Sequence, residues 1–400
     1  MTGFHTISGQ GKSPLSMIET KPVGTYEIVA EDPETRARAG LLHTAHGIVP
    51  TPIFMPVGTR ASVKGISQEQ LRDLDAKIIL GNTYHLYLRP GEELIESFGG
   101  LHGFMNWDRP ILTDSGGFQV YSLAKSRKMS EEGVEFASVL DGSRHLFTPE
   151  KSMQIQYALG SDIIMTFDEC APSRYTYDQA KFSTDRTHRW LDRSMAELRR
   201  LTEEKGGHKR LFFSIVQGGI HDPLKLESAE YCRDSGSDGV GIGGDLKIES
   251  DAPFMYDLIS KFIDTLPRSK PRYLMGAGAV DNLVEGVGLG IDMYDCVYPT
   301  RMARHGVAMS RYGNIRIVAA RYRDSKEPLD PTCNCHVCRT YSKGYIRHLL
   351  SVGEQFGASL VSYHNLHTLL QLARDMREAI IAGRYGEFLR EYRSTPKFQA

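Results

Sequence analysis

Apolar residues along this chain fall in short continuous runs, each of which ends in glycine or in polar residues. Continuous runs are typical of parallel strands buried on both faces, whereas strands with one solvated face alternate between apolar and polar positions. The runs predict eight strands, at residues 47–57, 77–80, 111–113, 162–167, 211–216, 239–242, 272–275 and 290–297.

Helical spacing of apolar residues separates most of these strands. Proline near the start and glycine after the end mark helix boundaries, and Thr148-Pro149 and Gly99-Gly100 provide such signals. Eight strands alternating with helices predict an α/β fold of the (β/α)8 TIM-barrel type, although a doubly wound open sheet would give a similar order. Helices are predicted at residues 67–75, 90–98, 149–159, 178–205, 222–234, 251–266 and 280–289, with a final helix near 366–382.

Two segments depart from the barrel pattern. The connection at residues 115–160 is too long for a simple crossover, and strand-like sequences around Asp141-Gly142 predict a hairpin insertion. The second segment, residues 320–366, follows the eighth strand and contains a cluster of cysteines. We therefore expect one barrel over residues 25–390 that includes both insertions, a loosely ordered N-terminal tail at 1–24 and a C-terminal tail at 391–400.

Length and charge limit the class of protein. The 400 residues suffice for one large barrel with insertions, and 48 Lys and Arg against 49 Asp and Glu give a net charge of −1. A polyanionic partner would therefore need a local basic patch. Residues 301–350 hold ten basic and three acidic residues, which indicates a phosphate-binding surface or, alternatively, an ordinary solvated face. No apolar run approaches the roughly 18 residues of a membrane span, and no secretory signal is recognisable, so we expect a cytoplasmic protein.

Three of the six cysteines, Cys333, Cys335 and Cys338, lie within six residues. Such clustering is typical of metal ligands, and three thiolates with one further ligand complete a tetrahedral structural zinc site. We therefore expect one structural Zn²⁺ per chain. Spacing does not choose the fourth ligand among the four nearby histidines His336, His348, His364 and His367.

Polar side chains follow the predicted strands, where the active site of a TIM barrel lies. Asp114 precedes a Ser-Gly-Gly sequence, and Asp295 lies inside an apolar run, where an unpaired carboxylate is costly. A pair of carboxylates serving as nucleophile and acid/base is the arrangement that retaining glycosyl transfer requires. Alternatively, each aspartate caps the following helix, or Asp295 forms an ion pair with Arg301 or Arg304. The other candidate residues at these strand ends are Asn82, Ser115, Asp168, Glu169, Gln217, Gly243, Gly244 and Asp245.

Seven motifs in chain order carry a resemblance to a known family: GNTYHLYLRPG, LTDSGGFQV, SDIIMTFDEC, VQGG, PRYLMGAG, GIDMYDCVYPTR, and CNCHVC followed by YHNL. With them the chain resembles the tRNA-guanine transglycosylases over about residues 25–390, and the bacterial enzymes more than the archaeal ones. The resemblance implies a TIM barrel with a zinc subdomain and a pentosyltransferase that acts in queuosine modification. It further implies exchange of the wobble guanine of GUN-anticodon tRNAs for a 7-deazaguanine base, and a homodimer.

The resemblance also implies roles for individual residues. Asp295 corresponds to the nucleophile that attacks the ribose and forms a covalent intermediate, and Asp114 to the general acid/base. Arg301 and Arg304 correspond to anticodon-loop contacts, and His364 corresponds to the fourth zinc ligand. Phe118 and Met275 correspond to the pair that stacks on the purine. The remaining residues of the implied base-binding site are Asp168, Gln217, Gly244, Ser115 and Cys170.

One segment departs from the family pattern. After Gly244 this chain runs Asp245-Leu246-Lys247-Ile248-Glu249, where the bacterial family usually has Leu-Ala-Val-Gly-Glu and the eukaryotic catalytic subunit has Leu-Ser-Gly-Gly-Glu. In the family this segment lines the pocket for the 7-substituent of the base. The resemblance therefore leaves two candidates for the incoming base. The default is 7-aminomethyl-7-deazaguanine, whose cationic group a carboxylate at Asp245 would favour, and queuine is the alternative.

Two other functional classes are weighed against this enzyme. A non-catalytic tRNA-binding partner subunit would normally lack the nucleophile, yet Asp295 and Asp114 are both present. A barrel glycosidase acting on carbohydrate usually lines its cleft with tryptophan, and this chain has only Trp107 and Trp190.

Overall fold

The structure is a computed structural model, and it describes residues 21–123, 127–245 and 251–397. Most of the predicted N-terminal tail and residues 246–249 of the departing segment therefore lie outside the described residues. The strands are β1 Tyr26–Glu31, β2 Arg38–Thr44, β3 Gly47–Thr51, β4 Ile53–Gly58, β5 Ile79–Gly81, β6 Ile111–Thr113, β7 Arg127–Met129, β8 Val134–Ala137, β9 Arg144–Phe147, β10 Ile163–Met165, β11 Leu211–Val216, β12 Gly239–Ile242, β13 Arg272–Leu274, β14 Met293–Cys296, β15 Val307–Ser310 and β16 Gly313–Arg316.

Eight parallel strands close into a barrel in the order β4-β5-β6-β10-β11-β12-β13-β14, and β14 returns to pair with β4. Each of the eight predicted strands contributes one of these strands, and the barrel confirms the predicted TIM-barrel fold over the open sheet. The barrel interior is filled by buried apolar side chains such as Met55, Met165, Phe213 and Met293. This continuous burial explains why the strands read as unbroken apolar runs.

Helices follow the barrel strands and cover their outer faces. Thr148 caps α6 by accepting a hydrogen bond from the Lys151 backbone at 3.1 Å, Pro149 occupies the first turn, and Gly160 ends the helix in a left-handed conformation. The helices are α1 Gln68–Asp73, α2 Thr83–Leu88, α3 Glu92–Ser97, α4 Gly100–Met105, α5 Gly117–Leu123, α6 Pro149–Leu159, α7 Tyr177–Lys205, α8 Asp222–Asp234, α9 Ala252–Ser260, α10 Val280–Gly288, α11 Tyr298–Arg304, α12 His336–Thr340, α13 Lys343–Ser351, α14 Gln355–Ile381 and α15 Tyr385–Ser394, with 3₁₀ turns at Ile263–Thr265 and Ala320–Tyr322.

The N-terminal part of the fold differs from the prediction. The single strand predicted at residues 47–57 is two strands, because the chain breaks at Pro52 and only β4 joins the barrel. The first part, β3, pairs with β2, and β2 pairs with β1, in an antiparallel sheet that the sequence pattern did not predict. Its first strand alternates poorly between buried and exposed positions, so it carries no clear strand signal.

The insertions and the C-terminal helices also refine the prediction. The predicted hairpin forms as β8 and β9, and β7 adds a third strand to it. Helix α14 begins at Gln355 rather than near 366, and α15 extends into the predicted C-terminal tail as far as Ser394. None of the described helices combines the length and the hydropathy needed to cross a membrane.

Helix α14 joins the cysteine-bearing insertion to the barrel. It packs against α11, which directly follows barrel strand β14, against α12 and α13 of the insertion, and against β15, which precedes the insertion. Asn365 on α14 donates hydrogen bonds to the carbonyl oxygens of Pro299 at 2.9 Å and Val307 at 3.1 Å, and accepts one from the Met309 backbone at 2.7 Å. These bonds fix the insertion against the C-terminal end of β14.

Candidate active site

Asp114 follows β6 and is held by the turn after the neighbouring strand β5. Its Oδ1 accepts hydrogen bonds from the backbone of Thr83 at 2.9 Å and of Gly116 at 3.2 Å, and Asn82 donates a short hydrogen bond to Oδ2. The Asn82 oxygen caps α2 by accepting from the His85 backbone, so its amide nitrogen is turned towards Asp114. Asp114 is therefore fixed between two strand ends and does not cap the helix that follows it.

Asp295 lies in β14 at the same end of the barrel. Its Oδ1 accepts hydrogen bonds from the Tyr273 hydroxyl at 2.6 Å and from the Gly276 backbone at 2.7 Å. No described residue donates a hydrogen bond to Oδ2, and neither Arg301 nor Arg304 forms an ion pair with this carboxylate. The structure thus excludes the ion-pair alternative and leaves one carboxylate oxygen available to a substrate.

A third carboxylate, Asp168, lies at the floor of the site with Gln217. Its Oδ2 accepts a hydrogen bond from Gln217 Nε2 at 2.6 Å, and its Oδ1 accepts one from the Ser115 hydroxyl at 3.2 Å. The Oε1 atom of Gln217 is buried and has no hydrogen-bond partner among the described residues. A buried acceptor of this kind is costly unless a ligand supplies a donor.

The three carboxylates interact electrostatically. Desolvation raises the pKa of Asp114 to about 7, and the charges of Asp295 and Asp168 act in the same direction. Desolvation also raises the pKa of Asp295, although the hydrogen bonds from Tyr273 and Gly276 lower it. Desolvation raises the pKa of Asp168 to about 6. At neutral pH Asp114 is therefore populated in both its protonated and its ionised form, as a group that gives and then takes a proton requires.

The other predicted base-binding residues surround this floor. The turn of Gly243 and Gly244 follows β12, and Gly244 has a φ of +99°, which disfavours any residue with a side chain. The Gly244 backbone interacts with the Cys170 sulfur, and burial raises the pKa of this thiol to about 12, so it stays protonated. Met275 is half-buried after β13, whereas Phe118 at the start of α5 is 56% exposed. An exposed aromatic ring is available for stacking on a planar ligand.

Asp245 follows this turn and is exposed. Its Oδ2 accepts hydrogen bonds from the Ser173 backbone at 3.0 Å and the Ser173 hydroxyl at 2.7 Å. The carboxylate is therefore anchored to the loop after β10.

Arg301 and Arg304 lie on α11, six and nine residues after Asp295. Both face away from the barrel core, with Arg301 exposed and its guanidinium near the Tyr298 ring, and with Arg304 close to the Thr300 carbonyl. Their position beside the carboxylates is where a polyanion would pass if its sugar entered the site.

The candidate metal centre lies between the cysteine cluster and helix α14. The ligand atoms of Cys333, Cys335, Cys338 and His364 all fall within 4.8 Å of one another. His364 Nδ1 lies 3.3 Å from Cys338 Sγ, while its Nε2 lies 2.8 Å from the Met309 carbonyl oxygen. This second bond requires a proton on Nε2 and leaves the Nδ1 lone pair facing the sulfurs, as in histidines that bind zinc.

The other histidines do not complete this group of four. Nδ1 of His367 lies 3.5 Å from Cys333 Sγ only, and His336 and His348 are outside the cluster. Three thiols and one imidazole fit a closed tetrahedral site, which supplies stability rather than an open catalytic position.

The sequence analysis did not identify Tyr273, Gly276 or Thr83 as parts of this site. Tyr273 reads as one more buried strand residue, and backbone donors such as Gly276 have no side-chain signal. The one signal in the sequence for Tyr273 is its position near the C-terminal end of a predicted barrel strand, because active sites of TIM barrels lie at that end.

Comparisons with known proteins agree on one family for this chain. The model of a family described as queuine tRNA-ribosyltransferase matches residues 32–397. A queuine tRNA-ribosyltransferase of Ruminiclostridium cellulolyticum is 50% identical over 368 residues, which is 92% of this chain and 97% of the relative. Those of Thermoanaerobacter pseudethanolicus and Desulforudis audaxviator are 49% and 51% identical, over 92% and 90% of this chain and 96% and 95% of the relatives.

Proposed function

The chain belongs to the queuine tRNA-ribosyltransferase family, and from this premise we propose that it is a tRNA-guanine transglycosylase with a covalent aspartyl intermediate. The observation that carries the mechanism is that two carboxylates in one site differ in their hydrogen bonds and in their pKa. Asp295 has one oxygen held by Tyr273 and Gly276 and one without a described donor, whereas Asp114 has a pKa of about 7. The first arrangement suits a nucleophile and the second suits a proton carrier.

In the first half of the reaction, Asp295 Oδ2 attacks C1′ of the wobble guanosine. The bond between C1′ and N9 breaks, and protonated Asp114 gives its proton to the departing guanine. The product is an ester between Asp295 and the ribose. Hydrogen bonds to Oδ1 hold the carboxylate in one orientation throughout, which keeps Oδ2 directed at the anomeric carbon.

In the second half, the incoming base loses its N9 proton to ionised Asp114 and attacks C1′ from the side that guanine left. The ester bond breaks and Asp295 is regenerated as a carboxylate. Two inversions at one carbon give net retention, and the proton returns to Asp114, so the cycle needs no outside acid or base.

Asp168 and Gln217 are proposed to read the purine edge. Asp168 offers acceptor oxygens, and the buried Oε1 of Gln217 offers an acceptor without a present partner. Guanine and 7-deazaguanines share N–H donors on this edge, and a base without them would leave the Gln217 Oε1 acceptor unpaired. Phe118 and Met275 would stack on the ring, with Ser115, Cys170 and Gly244 completing the pocket.

The proposed incoming base is 7-aminomethyl-7-deazaguanine, with queuine as the alternative. The site already gathers the carboxylates Asp114, Asp168 and Asp295, and Asp245 lies on the adjoining turn. A cationic aminomethyl group would gain from this negative potential. Arg301 and Arg304 are proposed to contact the phosphates of a GUN anticodon loop, the metal is proposed to be zinc, and the active unit is proposed to be a cytoplasmic homodimer.

The test is incorporation of labelled guanine into unmodified tRNA with a GUN anticodon. Wild type and Asp257→Asn, a change at an exposed carboxylate on α9, should incorporate label, and Asp295→Asn should not. Each 7-deazaguanine added as a competitor identifies the preferred base. No incorporation by folded, metal-loaded wild type would contradict the proposal and favour a partner subunit that binds tRNA without catalysis.

A further inference from the structure

Lys225 on α8 is fully buried directly behind the base-binding floor. Its side chain has no exposed area, and its Nζ donates a hydrogen bond to the Gly243 carbonyl oxygen at 2.8 Å. Among the described residues, no carboxylate acts on this amine, and its ionisable neighbours are the thiols of Cys170 and Cys232. Lysine is almost never fully buried without a paired charge, so its retention here calls for an explanation.

No charged group among the described residues stabilises the Lys225 amine. Burial lowers the pKa of Lys225 to about 7, and burial raises the pKa of each neighbouring thiol, Cys170 and Cys232, to about 12. At neutral pH both thiols are uncharged and provide no counter-charge. An apolar side chain of similar length would avoid the cost of burying the amine. This gain offsets the lost hydrogen bond to the Gly243 carbonyl oxygen, so the stability of the fold should change little.

Helix α8 instead contacts both turns that form the base-binding floor. The backbone N–H of Gln217 donates to the Ser228 hydroxyl at 3.0 Å, one turn after Lys225. Gly218 lies so close to this helix that a Cβ there would fall 2.7 Å from the Lys225 backbone nitrogen. One face of α8 thus holds the Gln217 turn with its hydroxyl and the Gly243 turn with its amine.

The two turns also touch each other. The Gly243 backbone donates to the Val216 carbonyl oxygen at 3.1 Å, and a Cβ at Gly243 would lie 2.9 Å from Gln217 Nε2. That same Nε2 donates to Asp168 at 2.6 Å. A displacement of the Gly243 carbonyl group would therefore move Gly244 and disturb the Gln217–Asp168 pair together.

We propose that Lys225 is a positioning residue for base recognition, whose buried amine holds the Gly243 carbonyl so that Gly244, Gln217 and Asp168 face the purine together. This inference rests on the proposed function, because the ligand it names is the base of the exchange reaction. Lys225 does not touch the reacting atoms, so its loss should weaken base binding while chemistry on bound base continues.

The test compares Lys225→Met with Lys225→Arg, which keeps a donor, and with Leu224→Met, which changes packing at the adjacent buried position of α8. For Lys225→Met we expect the KM for guanine to rise about tenfold, as for the loss of one hydrogen bond, with a much smaller change in kcat. The Tm should change little. Lys225→Arg should fall between wild type and Lys225→Met, and Leu224→Met should match wild type.

Three outcomes would overturn the inference: an unchanged KM in Lys225→Met, an equal rise of KM in Leu224→Met, or a lower Tm with kcat and KM both preserved. Calorimetric titration of guanine into each folded variant measures base binding without turnover. Wild type that binds guanine but exchanges none into tRNA would refute the proposed function, while the comparison of affinities would still decide the role of Lys225.

Discussion

The hydrogen bond from Tyr273 to Asp295 makes a quantitative prediction about the pH dependence of the reaction. The nucleophile must be ionised, and desolvation raises the pKa of Asp295 while the Tyr273 hydroxyl, at 2.6 Å, lowers it. Tyr273→Phe removes this donor and leaves only the Gly276 backbone on Oδ1. The pKa of Asp295 must then rise, so the acid limb of the rate profile moves to higher pH.

The size of the shift in the acid limb follows from the type of hydrogen bond that is lost. A hydrogen bond to a charged acceptor contributes about 1.5–3 kcal/mol, and 1.36 kcal/mol corresponds to one pKa unit, so the limb should move by roughly 1–2 pH units. The assay is kcat/KM for tRNA in labelled guanine exchange as a function of pH. This quantity reports the free enzyme, in which Asp295 still titrates, whereas guanine reacts with the ester. Above the shifted limb the variant and wild type should converge.

The adjacent Tyr294 provides a matched control. Its hydroxyl is also fully buried, but it has no hydrogen-bond partner among the described residues. Tyr294→Phe therefore removes an equal group from β14, the strand that carries Asp295, and should leave the acid limb unchanged. An unmoved limb in Tyr273→Phe, or an equal shift in Tyr294→Phe, would refute the assignment of the limb to Asp295.

Three further predictions concern the metal centre, the basic surface and the opposite end of the barrel. Cys335→Ser should lose the metal and lower the Tm by several degrees, whereas Cys232→Ala should keep full metal content; unchanged metal in the first variant would contradict the cluster. Arg304→Ala should weaken tRNA binding and make the slope of log affinity against log salt shallower by about 1, without changing the KM for guanine. The hydrogen bond to Asp162 raises the pKa of His46, so its stabilisation is complete below the unfolded pKa and is lost as pH rises through the folded pKa. His46→Gln should therefore cost more free energy of unfolding near about pH 5.5 than near about pH 8.5, and equal costs would contradict the ion pair.

The barrel could be predicted because its strands are buried on both faces. Runs such as residues 211–216 contain only residues that pack in the barrel interior or against helices, so the pattern and the strand coincide. The N-terminal sheet escaped prediction because β1 mixes exposed and buried positions without a regular period, and because Pro52 divides an apolar run that reads as one strand. Local pattern does not specify which part of a run joins which sheet.

The candidate site was predictable where chemistry depends on side-chain type at a strand end. Asp114, Asp168 and Asp295 belong to this class, and the structure brings them into one electrostatic group. Lys225 was not predictable, because a lysine in an amphipathic helix normally faces solvent and only the packing of α8 buries it. Spacing alone does not select the fourth metal ligand, because several histidines are equally compatible with it. The fold selects His364, because helix α14 brings this residue to the three cysteines.

The central claim is that Asp295 forms a covalent bond to the ribose of tRNA. Enzyme mixed with unmodified GUN-anticodon tRNA and quenched in denaturant should contain a protein–RNA adduct, and digestion followed by mass spectrometry should place the ribose on Asp295. The adduct should be absent from Asp295→Asn and should disappear from wild type when excess guanine is added before the quench. An active wild type without an adduct, or an adduct that persists in Asp295→Asn, would contradict the account.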